Sequence, residues 1–498
     1  MRAAPEDLDD FQVMFDEPTA RQATFAMAGI TLLAAGLRLF RIDAQSAWID
    51  EAFTIHAAAG RWDDMMRILV GDFSHPPLHT MVVRWWFALF DVSVLGARLL
   101  SAMFGTLAVP ALYWLGTLLF DRRTALIASF LLAISQLGIV YSQEARAYSL
   151  LLLLVIVAAG FFVRSFQTGR IRDFAWFVVV VSLLIYVHYY SIFAVAGLLM
   201  YALLFRGRAS IPTSWWAAAL VATIVAYLPW LTSGVIESVI QHPESARVEG
   251  VSASLASPLY SLNWFNNGKV NGIREQAPLW TFPVGCLLFT APAFWALWRR
   301  SPERKRERHA EILLALLWFA PVGAVAALGF FRLVYDVRHV SFAVAAYYLL
   351  VARGMTLVPS NLLRALLIAG IVGYWGVSFR SNYFIRFKEN YRDAFGTLVS
   401  QAVAGDCTVY GAPDGRSFGE WYWTSYYHGQ APPTLIALDQ AALRTDCRRI
   451  WVLWDRSFWK NGPLTYDAAT AMIGPAYAPG QRWAFLRVDL QLFVRRQD

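Results

Sequence analysis

The sequence has few charged residues and almost no cysteine. Asp, Glu, Lys and Arg make up 16% of its 498 residues, whereas soluble domains carry about 25%. This deficit excludes an ordinary soluble domain. The three cysteines show no metal-ligand spacing, which excludes a cysteine-based zinc cluster. Runs of about ten alternating residues, the signature of a membrane β-barrel, are also missing.

Apolar blocks take the place of charge. Hydrophobic residues make up 57% of the chain, and they fall in blocks of about 17–25, enough to cross a ~30 Å hydrocarbon layer. The sequence therefore predicts an α-helical polytopic membrane protein with about eleven transmembrane helices. The predicted spans cover residues 23–40, 95–119, 124–141, 148–164, 174–190, 191–205, 214–232, 279–298, 311–331, 338–356 and 361–379.

The chain divides into a tail, a membrane domain and a C-terminal domain. Residues 1–22 are polar and acidic and predict a cytoplasmic tail without fixed structure. Residues 23–379 form the membrane domain, with long outer loops at 41–94 and 233–278. In residues 380–498 charges return and the apolar runs shorten, which predicts a small extracytoplasmic α/β domain. Both cysteines of this last domain, at positions 407 and 447, are able to pair if it faces an oxidising compartment.

The positions of the basic residues predict the topology. Every second loop between the predicted spans is rich in Arg and Lys, and cytoplasmic loops of membrane proteins carry this excess. The net charge of +8 therefore reflects topology, and we expect no nucleic-acid partner. The alternate loops contain the polar motifs, so the sequence predicts chemistry on the extracytoplasmic side. The basic loops hold Arg122 and Arg123; Arg164, Arg170 and Arg172; Arg206 and Arg208; residues 299–308; and Arg353.

The first motif, Asp50-Glu51, lies in outer loop 41–94. On a helix neighbouring residues point about 100° apart, so the two carboxylates cannot both face one atom. The pattern favours one base and one group that shapes the site. The alternative is that Asp50 only caps a helix that begins at Glu51. His75 follows in the same loop, held before a proline pair, with a capping or solvent-facing histidine as its alternative.

The second motif, Ser-Gln-Glu-Ala-Arg-Ala-Tyr, joins two predicted spans. If it is helical, Gln143 and Arg146 share one face, and Glu144 and Tyr148 share another. An arginine there is suited to a forked contact with phosphate. The alternative is that Glu144 and Arg146 make only structural contacts with neighbouring loops.

Two further candidates lie at the outer ends of spans. An interfacial aromatic belt explains the tyrosines around His188, but it does not explain the histidine. Arg338 is a second candidate for binding phosphate, with an ordinary snorkelling arginine as the alternative.

Together the motifs resemble a known family. An Asp-Glu pair after the first helix, His-Pro-Pro-Leu at 75–78 and Ser-Gln-Glu-Ala-Arg-x-Tyr at 142–148 are similar to the bacterial protein O-mannosyltransferases. That family belongs to the GT-C glycosyltransferases and has the lipid A aminoarabinose transferase as a relative. The run Tyr391-Arg392-Asp393 after the last predicted helix resembles the same proteins.

The resemblance implies an enzyme of the bacterial inner membrane. Its donor would be a sugar on a polyprenyl phosphate in the outer leaflet, and its acceptor a glycan, a lipid or a protein hydroxyl. Asp50 would be the catalytic base, and Arg146 would lie near the donor phosphate. Arg338 would also bind the donor, although the family often has Tyr where this chain has His339. The remaining substrate-binding candidates are Glu51, His75, Gln143, Glu144, Tyr148 and His188.

The residue types fit one-step sugar transfer. Displacing a phosphate from a sugar requires a base on the incoming hydroxyl and cations near the departing phosphate. Phosphate already leaves well, so no carboxylic acid is needed, unlike in paired-carboxylate glycosidases. The hypothesis is an inverting glycosyltransferase. Carboxylates near a phosphate can hold a divalent cation, but the sequence has no dedicated ligand cluster, and we assign no metal.

Two other classes of protein stay open. A flippase or transporter of lipid-linked sugars predicts polar residues in the middle of several spans, whereas here they concentrate at the outer ends. A binding or assembly protein would recruit a partner through residues 380–498, and its motifs would be structural.

Overall fold

The fold is mainly helical. The computed structural model describes residues 17–73, 75–241, 257–268, 280–299, 305–331, 335–411, 415–430, 434–436, 447–456, 471 and 473–496. Predictions for residues 1–16 of the tail, and for residues 242–256 and 269–278 of the second outer loop, lie outside the described residues.

Eighteen helices in the described residues are named here in chain order. They are α1 (Ala20–Leu39), α2 (Ile49–Ala59), α3 (Trp62–Asp72), α4 (Leu78–Phe87), α5 (Val94–Leu119), α6 (Arg122–Ile134), α7 (Gln136–Ser142), α8 (Tyr148–Thr168), α9 (Ile171–Val187), α10 (Ile192–Leu204), α11 (Thr213–Gln241), α12 (Ser257–Asn267), α13 (Thr281–Trp298), α14 (Lys305–Gly329), α15 (Val344–Thr356), α16 (Asn361–Phe384), α17 (Tyr391–Gln401) and α18 (Gly415–Tyr427).

The apolar helices account for the predicted spans. In the described residues six are long and apolar enough to cross a membrane, namely α1, α5, α8, α11, α13 and the stretch Glu307–Gly329 of α14. The pair α6 and α7 gives a seventh if it counts as one span, bent by 56°. The other predicted spans lie on the shorter helices α9, α10 and α15 and on α16, whose apolar stretch is Asn361–Val377. The protein is a multi-pass membrane protein.

The chain folds into two compact units. Unit 1 contains residues 1–40, 67–79 and 101–384, and unit 2 contains residues 41–66, 80–100 and 385–498. Unit 1 therefore holds most of the apolar helices. Unit 2 combines the C-terminal residues with two stretches of the first outer loop, including the Asp50-Glu51 motif.

Close packing holds the helices of unit 1 together. Lipid tails are as apolar as leucine, so helices in a bilayer associate through close packing and interhelical hydrogen bonds. At Gly354 of α15 the backbone approaches the carbonyl group of Pro292 in α13 so closely that a Cβ atom would clash with it. One continuous apolar core runs from Met27 in α1 to Trp375 in α16.

The helices of unit 1 have a basic end and a histidine end. At the basic end, Arg164 near the end of α8 pairs with Asp173 at the start of α9 at 3.2 Å, and Arg353 near the end of α15 pairs with Glu307. The other ends of α8, α9 and α15 carry Arg146, His188 and residues 336–343, respectively. The basic loops and the polar motifs of unit 1 thus lie at opposite ends of the same three helices.

In its described residues, unit 2 contains a mixed five-stranded sheet. Its strands are β1 (Asp406–Gly411), β2 (Thr434–Ile436), β3 (Arg449–Asp455), β4 (Tyr477–Ala484) and β5 (Val488–Arg495), in the order β2-β1-β3-β5-β4. β1 is parallel to β2 and β3, whereas β5 is antiparallel to β3 and β4. A disulfide joins Cys407 to Cys447 in the core of the sheet. The predicted C-terminal α/β fold is confirmed.

The helix that carries the first motif packs inside unit 2. Phe53 of α2 meets Trp421 of α18 edge to face, with 5.1 Å between ring centroids. His56 Nδ1 lies 2.9 Å from Thr424 Oγ1, and the Ala47 N–H donates to the Tyr426 hydroxyl oxygen at 2.7 Å. These contacts fix α2 against α18 rather than leaving it as a free outer loop.

Candidate active site

Five side chains of unit 1, from four separate segments, form a histidine–arginine cluster at the histidine end. They are His75 after α3, Arg146 between α7 and α8, His188 after α9, and Arg338 and His339 in the 3-10 helix Val337–Ala343. The Arg146 Nη2 atom is 3.2 Å from His75 Nε2. The ring centroids of His75 and His188 are 5.2 Å apart, and those of His188 and His339 are 5.8 Å apart.

Aromatic rings and one carboxylate surround this cluster. His339 stacks on Tyr190 with 4.4 Å between ring centroids, and Tyr148 lies 6.3 Å from His188. Asp336 pairs with Arg338 at 3.0 Å and also accepts a hydrogen bond from the Arg338 backbone N–H at 2.9 Å. The predicted candidates His75, Arg146, His188 and Arg338 are thus brought together within unit 1.

Two histidines of the cluster, His75 and His188, are held neutral. Burial lowers the pKa of His188 well below its ordinary value, and His339, Arg146 and Arg338 lower it further. Burial likewise lowers the pKa of His75, with Arg146 as the next cause. Because protonation would place more positive charge beside two guanidinium groups, the positive charge of the cluster resides on the arginines. An anion would complete such an arrangement.

Gln143 of the second motif has an anchoring role. Residues 143–147 form a turn and not a helix, so the helical spacing considered for this motif does not apply. The Gln143 side-chain amide donates to the carbonyl oxygens of Arg38 and Phe40, both at 2.9 Å. Glu144 and Tyr148 are buried. The turn is therefore tied to the end of α1, which places Arg146 in the cluster.

Arg38 also supports the turn at residues 143–147, through Ser142 directly before it. It is fully buried, and its guanidinium group donates to the carbonyl oxygens of Ala133 at 3.0 Å and Leu132 at 3.1 Å and to Ser142 Oγ at 3.2 Å. The last carbonyl groups of a helix have no partner within the helix. Arg38 satisfies two of them at the bend between α6 and α7.

The first motif lies in unit 2, at the start of α2. The helix begins at Ile49 with Trp48 as its capping residue, so Asp50 is inside the first turn and is not the cap. Glu51 has no exposed surface. Its carboxylate accepts hydrogen bonds from Arg98 at 2.7 and 2.8 Å and from Lys388 at 2.8 Å.

This buried triad ties three parts of unit 2 together. Arg98 also donates to the carbonyl oxygens of Ile42, Gln45 and Ser46, at 2.8–3.1 Å. Burial alone would raise the pKa of Glu51, but the charges of Arg98 and Lys388 outweigh it and hold the pKa well below its ordinary range. Glu51 is therefore ionised and structural, and it fixes the helix on which Asp50 stands.

The sequence contains signals for the residues that were missed. Arg98 and Arg38 are cations within apolar runs, and such residues are expensive in a membrane and have a partner or a function. Lys388 precedes the Tyr391-Arg392-Asp393 run by only a few residues. Among the described residues, no group of three or more His, Cys, Asp or Glu side chains is placed to hold a metal ion.

Comparisons with known proteins agree with this architecture. Residues 74–232 match the family described as dolichyl-phosphate-mannose-protein mannosyltransferase. The matched stretch contains His75, Arg146 and His188 and begins after Asp50. Among curated protein sequences no significant match is found.

Three solved structures show the same fold. ArnT from Cupriavidus metallidurans, bound to undecaprenyl phosphate, has a TM-score of 0.60 at 11% identity, over 95% of this chain and 98% of that one. The archaeal oligosaccharyltransferase AglB from Archaeoglobus fulgidus, in complex with an inhibitory peptide and a dolichol-phosphate, has a TM-score of 0.56 at 12% identity, over 95% and 74%. The arabinofuranosyltransferase AftD from Mycobacteria has a TM-score of 0.53 at 13% identity, over 97% and 40%.

The fold and the family match define the class of protein. The chain is a multi-pass membrane protein with the GT-C glycosyltransferase fold. The match over residues 74–232 confirms the resemblance to the protein O-mannosyltransferase-like family in that part of the chain.

Proposed function

We propose that the protein is an inverting glycosyltransferase that transfers a sugar from a polyprenyl-phosphate donor to an acceptor at the extracytoplasmic face of a bacterial inner membrane. The observation that carries the proposal is the histidine–arginine cluster at one end of the helices of unit 1. It offers two guanidinium groups and neutral histidines, which suit a phosphate group.

The donor class follows from the chemistry of the cluster. A phosphate that joins a sugar to a lipid is an anion anchored in the bilayer, so its binding site needs fixed positive charge at the end of membrane helices. ArnT is bound to undecaprenyl phosphate, and AglB is in complex with a dolichol-phosphate; both support this donor class for the present chain. We assign His75, Arg146, His188 and Arg338 to the donor phosphate.

The remaining predicted residues take supporting roles. Gln143 and Glu51 position the two motifs through the contacts described above. Glu144 and Tyr148 are buried, and each is two residues from Arg146 in sequence. We assign them to the donor site as well. The acceptor is a glycan, a lipid or a protein hydroxyl.

Asp50 is the proposed catalytic base. The oxygen of the acceptor hydroxyl attacks the anomeric carbon while its proton passes to the Asp50 carboxylate. The bond between that carbon and the phosphate oxygen breaks, and its electron pair leaves with the phosphate. Because attack and departure occur on opposite faces, the anomeric centre inverts.

The distribution of charge supports the sidedness. The basic end of unit 1 carries the Arg-rich loops, which predicts that it is cytoplasmic. The histidine end is opposite and is therefore extracytoplasmic. The disulfide between Cys407 and Cys447 fits an oxidising compartment for unit 2.

The substitution Asp50→Asn tests the proposal. It keeps the size of the side chain and removes its basicity, so we expect kcat to fall by about 10²–10⁴-fold. The assay uses purified protein in detergent, undecaprenyl phosphate carrying a radiolabelled hexose or pentose, and a membrane extract as the source of acceptors. Asp43→Asn is the matched control, because Asp43 is an exposed carboxylate of the same unit that pairs with Arg392.

Two outcomes contradict the proposal. Near-normal turnover by the Asp50→Asn protein removes Asp50 from the role of base. A wild-type protein that transfers no sugar covalently in detergent, but moves lipid-linked sugar across vesicles, is instead a flippase.

A further inference from the structure

His188 has a buried ring nitrogen that no described residue satisfies. The side chain is 2% exposed. Its Nδ1 atom accepts a hydrogen bond from the Tyr190 backbone N–H at 3.3 Å. In a neutral imidazole one nitrogen accepts and the other carries the proton, so Nε2 is the donor. Nε2 makes no hydrogen bond to any residue in the described part of the chain.

The groups around His188 are aromatic and imidazole rings, two arginines, and one carboxylate that is paired with one of those arginines. The rings of His75, Tyr190 and His339 lie 5.2–5.8 Å from it. Arg146 and Arg338 both act electrostatically on it, and Asp336 pairs with Arg338. Buried donors in proteins normally have an acceptor. The acceptor that suits these surroundings is an oxygen of an anionic ligand.

We propose that the Nε2–H group of His188 donates a hydrogen bond to a phosphate oxygen of the lipid-linked sugar donor and remains bonded to the polyprenyl phosphate after transfer. The proposal rests on the proposed function and assigns a specific atom of the site to the leaving group. His188 acts as a neutral hydrogen-bond donor and keeps its proton throughout.

The role makes His188 more important late in the reaction. When the bond from the anomeric carbon to the phosphate oxygen breaks, its electron pair adds negative charge to the phosphate, and the acceptor proton goes to Asp50. Hydrogen bonds to charged acceptors are stronger than those to neutral ones. His188 therefore stabilises the departing phosphate more than the bound donor, and its loss lowers kcat more than it raises KM.

A matched pair of variants tests the assignment. Asn places a polar atom where Nδ1 of His lies and can still accept from Tyr190, but it has nothing at the position of Nε2. Gln places its amide N–H group near the position of Nε2. We expect His188→Asn to weaken the binding of undecaprenyl phosphate by about tenfold or more, and His188→Gln to weaken it by less than about threefold.

The probes are undecaprenyl phosphate, undecaprenol and inorganic phosphate, with binding measured on the full-length protein in detergent. Only undecaprenyl phosphate should respond to the His188→Asn substitution. His309→Asn is the control, because His309 lies at the basic end, where it contacts Arg208. The loss in His188→Asn should also be the same factor from about pH 6 to about pH 8, since a neutral imidazole does not titrate in that range when its pKa is lowered.

Several results would overturn the proposal. Unchanged undecaprenyl phosphate binding in His188→Asn does so while leaving the role of Asp50 intact. An equal loss in His188→Gln, at an unchanged Tm, also does so. A loss that grows on acidification indicates a cationic histidine. If inorganic phosphate binds as tightly as undecaprenyl phosphate, and this binding depends on His188, the site recognises free phosphate and not a lipid-linked phosphate. If the wild-type protein binds undecaprenol and undecaprenyl phosphate equally tightly, the phosphate group contributes nothing to binding, and the cluster is not a phosphate site.

Discussion

Glu51 in unit 2 and His188 in unit 1 differ in how completely their buried polar atoms are satisfied. In unit 2 both oxygens of Glu51 accept hydrogen bonds from Arg98, and one of them also accepts from Lys388. In unit 1 the Nε2 atom of His188 is buried without a hydrogen bond to any described residue. A closed set of partners indicates a structural role, because nothing is left for a ligand to bind. The incomplete set at His188 is the basis for our proposal that a ligand supplies the missing atom.

Residues that are neighbours in one sequence motif have different roles in the structure. Asp50 and Glu51 are neighbours in sequence. Glu51 has no exposed surface and is fixed by Arg98 and Lys388 in the interior of unit 2, whereas Asp50 keeps 8% exposure. Gln143 and Arg146 belong to one motif, yet Gln143 binds backbone carbonyl groups, whereas Arg146 reaches a histidine ring. Proximity in sequence therefore does not give the residues of one motif a common role.

The largest expected effect comes from opening the closed triad. Glu51→Ala leaves Arg98 and Lys388 buried without their carboxylate, and removing one partner of a buried ion pair costs about 3–5 kcal/mol. We expect a loss of that size in the free energy of unfolding, measured by denaturation in detergent. Glu389→Ala is the control, because its partner Arg487 is 39% exposed and such pairs contribute about 1 kcal/mol or less. A loss below about 1 kcal/mol for Glu51→Ala would show that the triad is not structural.

The buried histidines of unit 1 and Glu51 of unit 2 should also respond to different pH ranges. The pKa of His75 and of His188 is lowered in the folded protein, and burial, with Arg146, lowers the pKa of His79 to about 3. The unfolded chain takes up these protons below about pH 6.5, so their contribution is present above that pH and lost as the pH falls. Glu51 also has a lowered pKa, but its unfolded value is about 4.3, so its contribution is lost only below that pH.

Hydrogen exchange as a function of pH measures this difference. We expect protection around His75 and His188 to decline from about pH 6.5 downwards, by on the order of 1 kcal/mol per pH unit for each histidine. Protection of α2 should fall in two steps. The first lies below about pH 6.5, because burial also lowers the pKa of His56 in α2, and the second lies below about pH 4.3, where Glu51 takes up its proton. Complete loss of α2 protection in the first step would contradict the assignment of Glu51 as a separate titrating group.

The smallest effect should come from an exposed ion pair of unit 2. Arg386 and Asp393 are 3.1 Å apart, but their side chains are 61% and 45% exposed. Water screens such pairs, so Arg386→Gln should change the free energy of unfolding by about 0.5 kcal/mol or less. The same denaturation experiment measures it. A change above about 2 kcal/mol would mean that exposure is a poor guide to the role of charges in this protein.

Sequence patterns were sufficient for the apolar helices and for the C-terminal fold. Runs of apolar residues located α1, α5 and α8, and short apolar runs located β1 and β3, because burial dictates both patterns. The helix–strand pattern could not show that α2 packs on α18, since that contact joins Phe53 to Trp421 across most of the chain.

The candidate site was predictable only in part, for the same reason. His75, Arg146, His188 and Arg338 stood out because polar residues at the ends of membrane spans are costly. The partners of Glu51 did not stand out, since Lys388 is 337 residues away along the chain. The alternative that Asp50 caps a helix beginning at Glu51 was wrong because the helix begins two residues earlier, at Ile49.

The buried guanidinium group of Arg38 in α1 donates hydrogen bonds to backbone carbonyl oxygens of another helix, α6. Within hydrocarbon, a carbonyl oxygen without a donor costs several kcal/mol, and Arg38 supplies donors to Leu132 and Ala133 where the chain bends. The bend thus becomes stable only after α1 has docked, although α6 and α7 are synthesised later. Docking of α1 and formation of the bend between α6 and α7 are therefore coupled through one side chain.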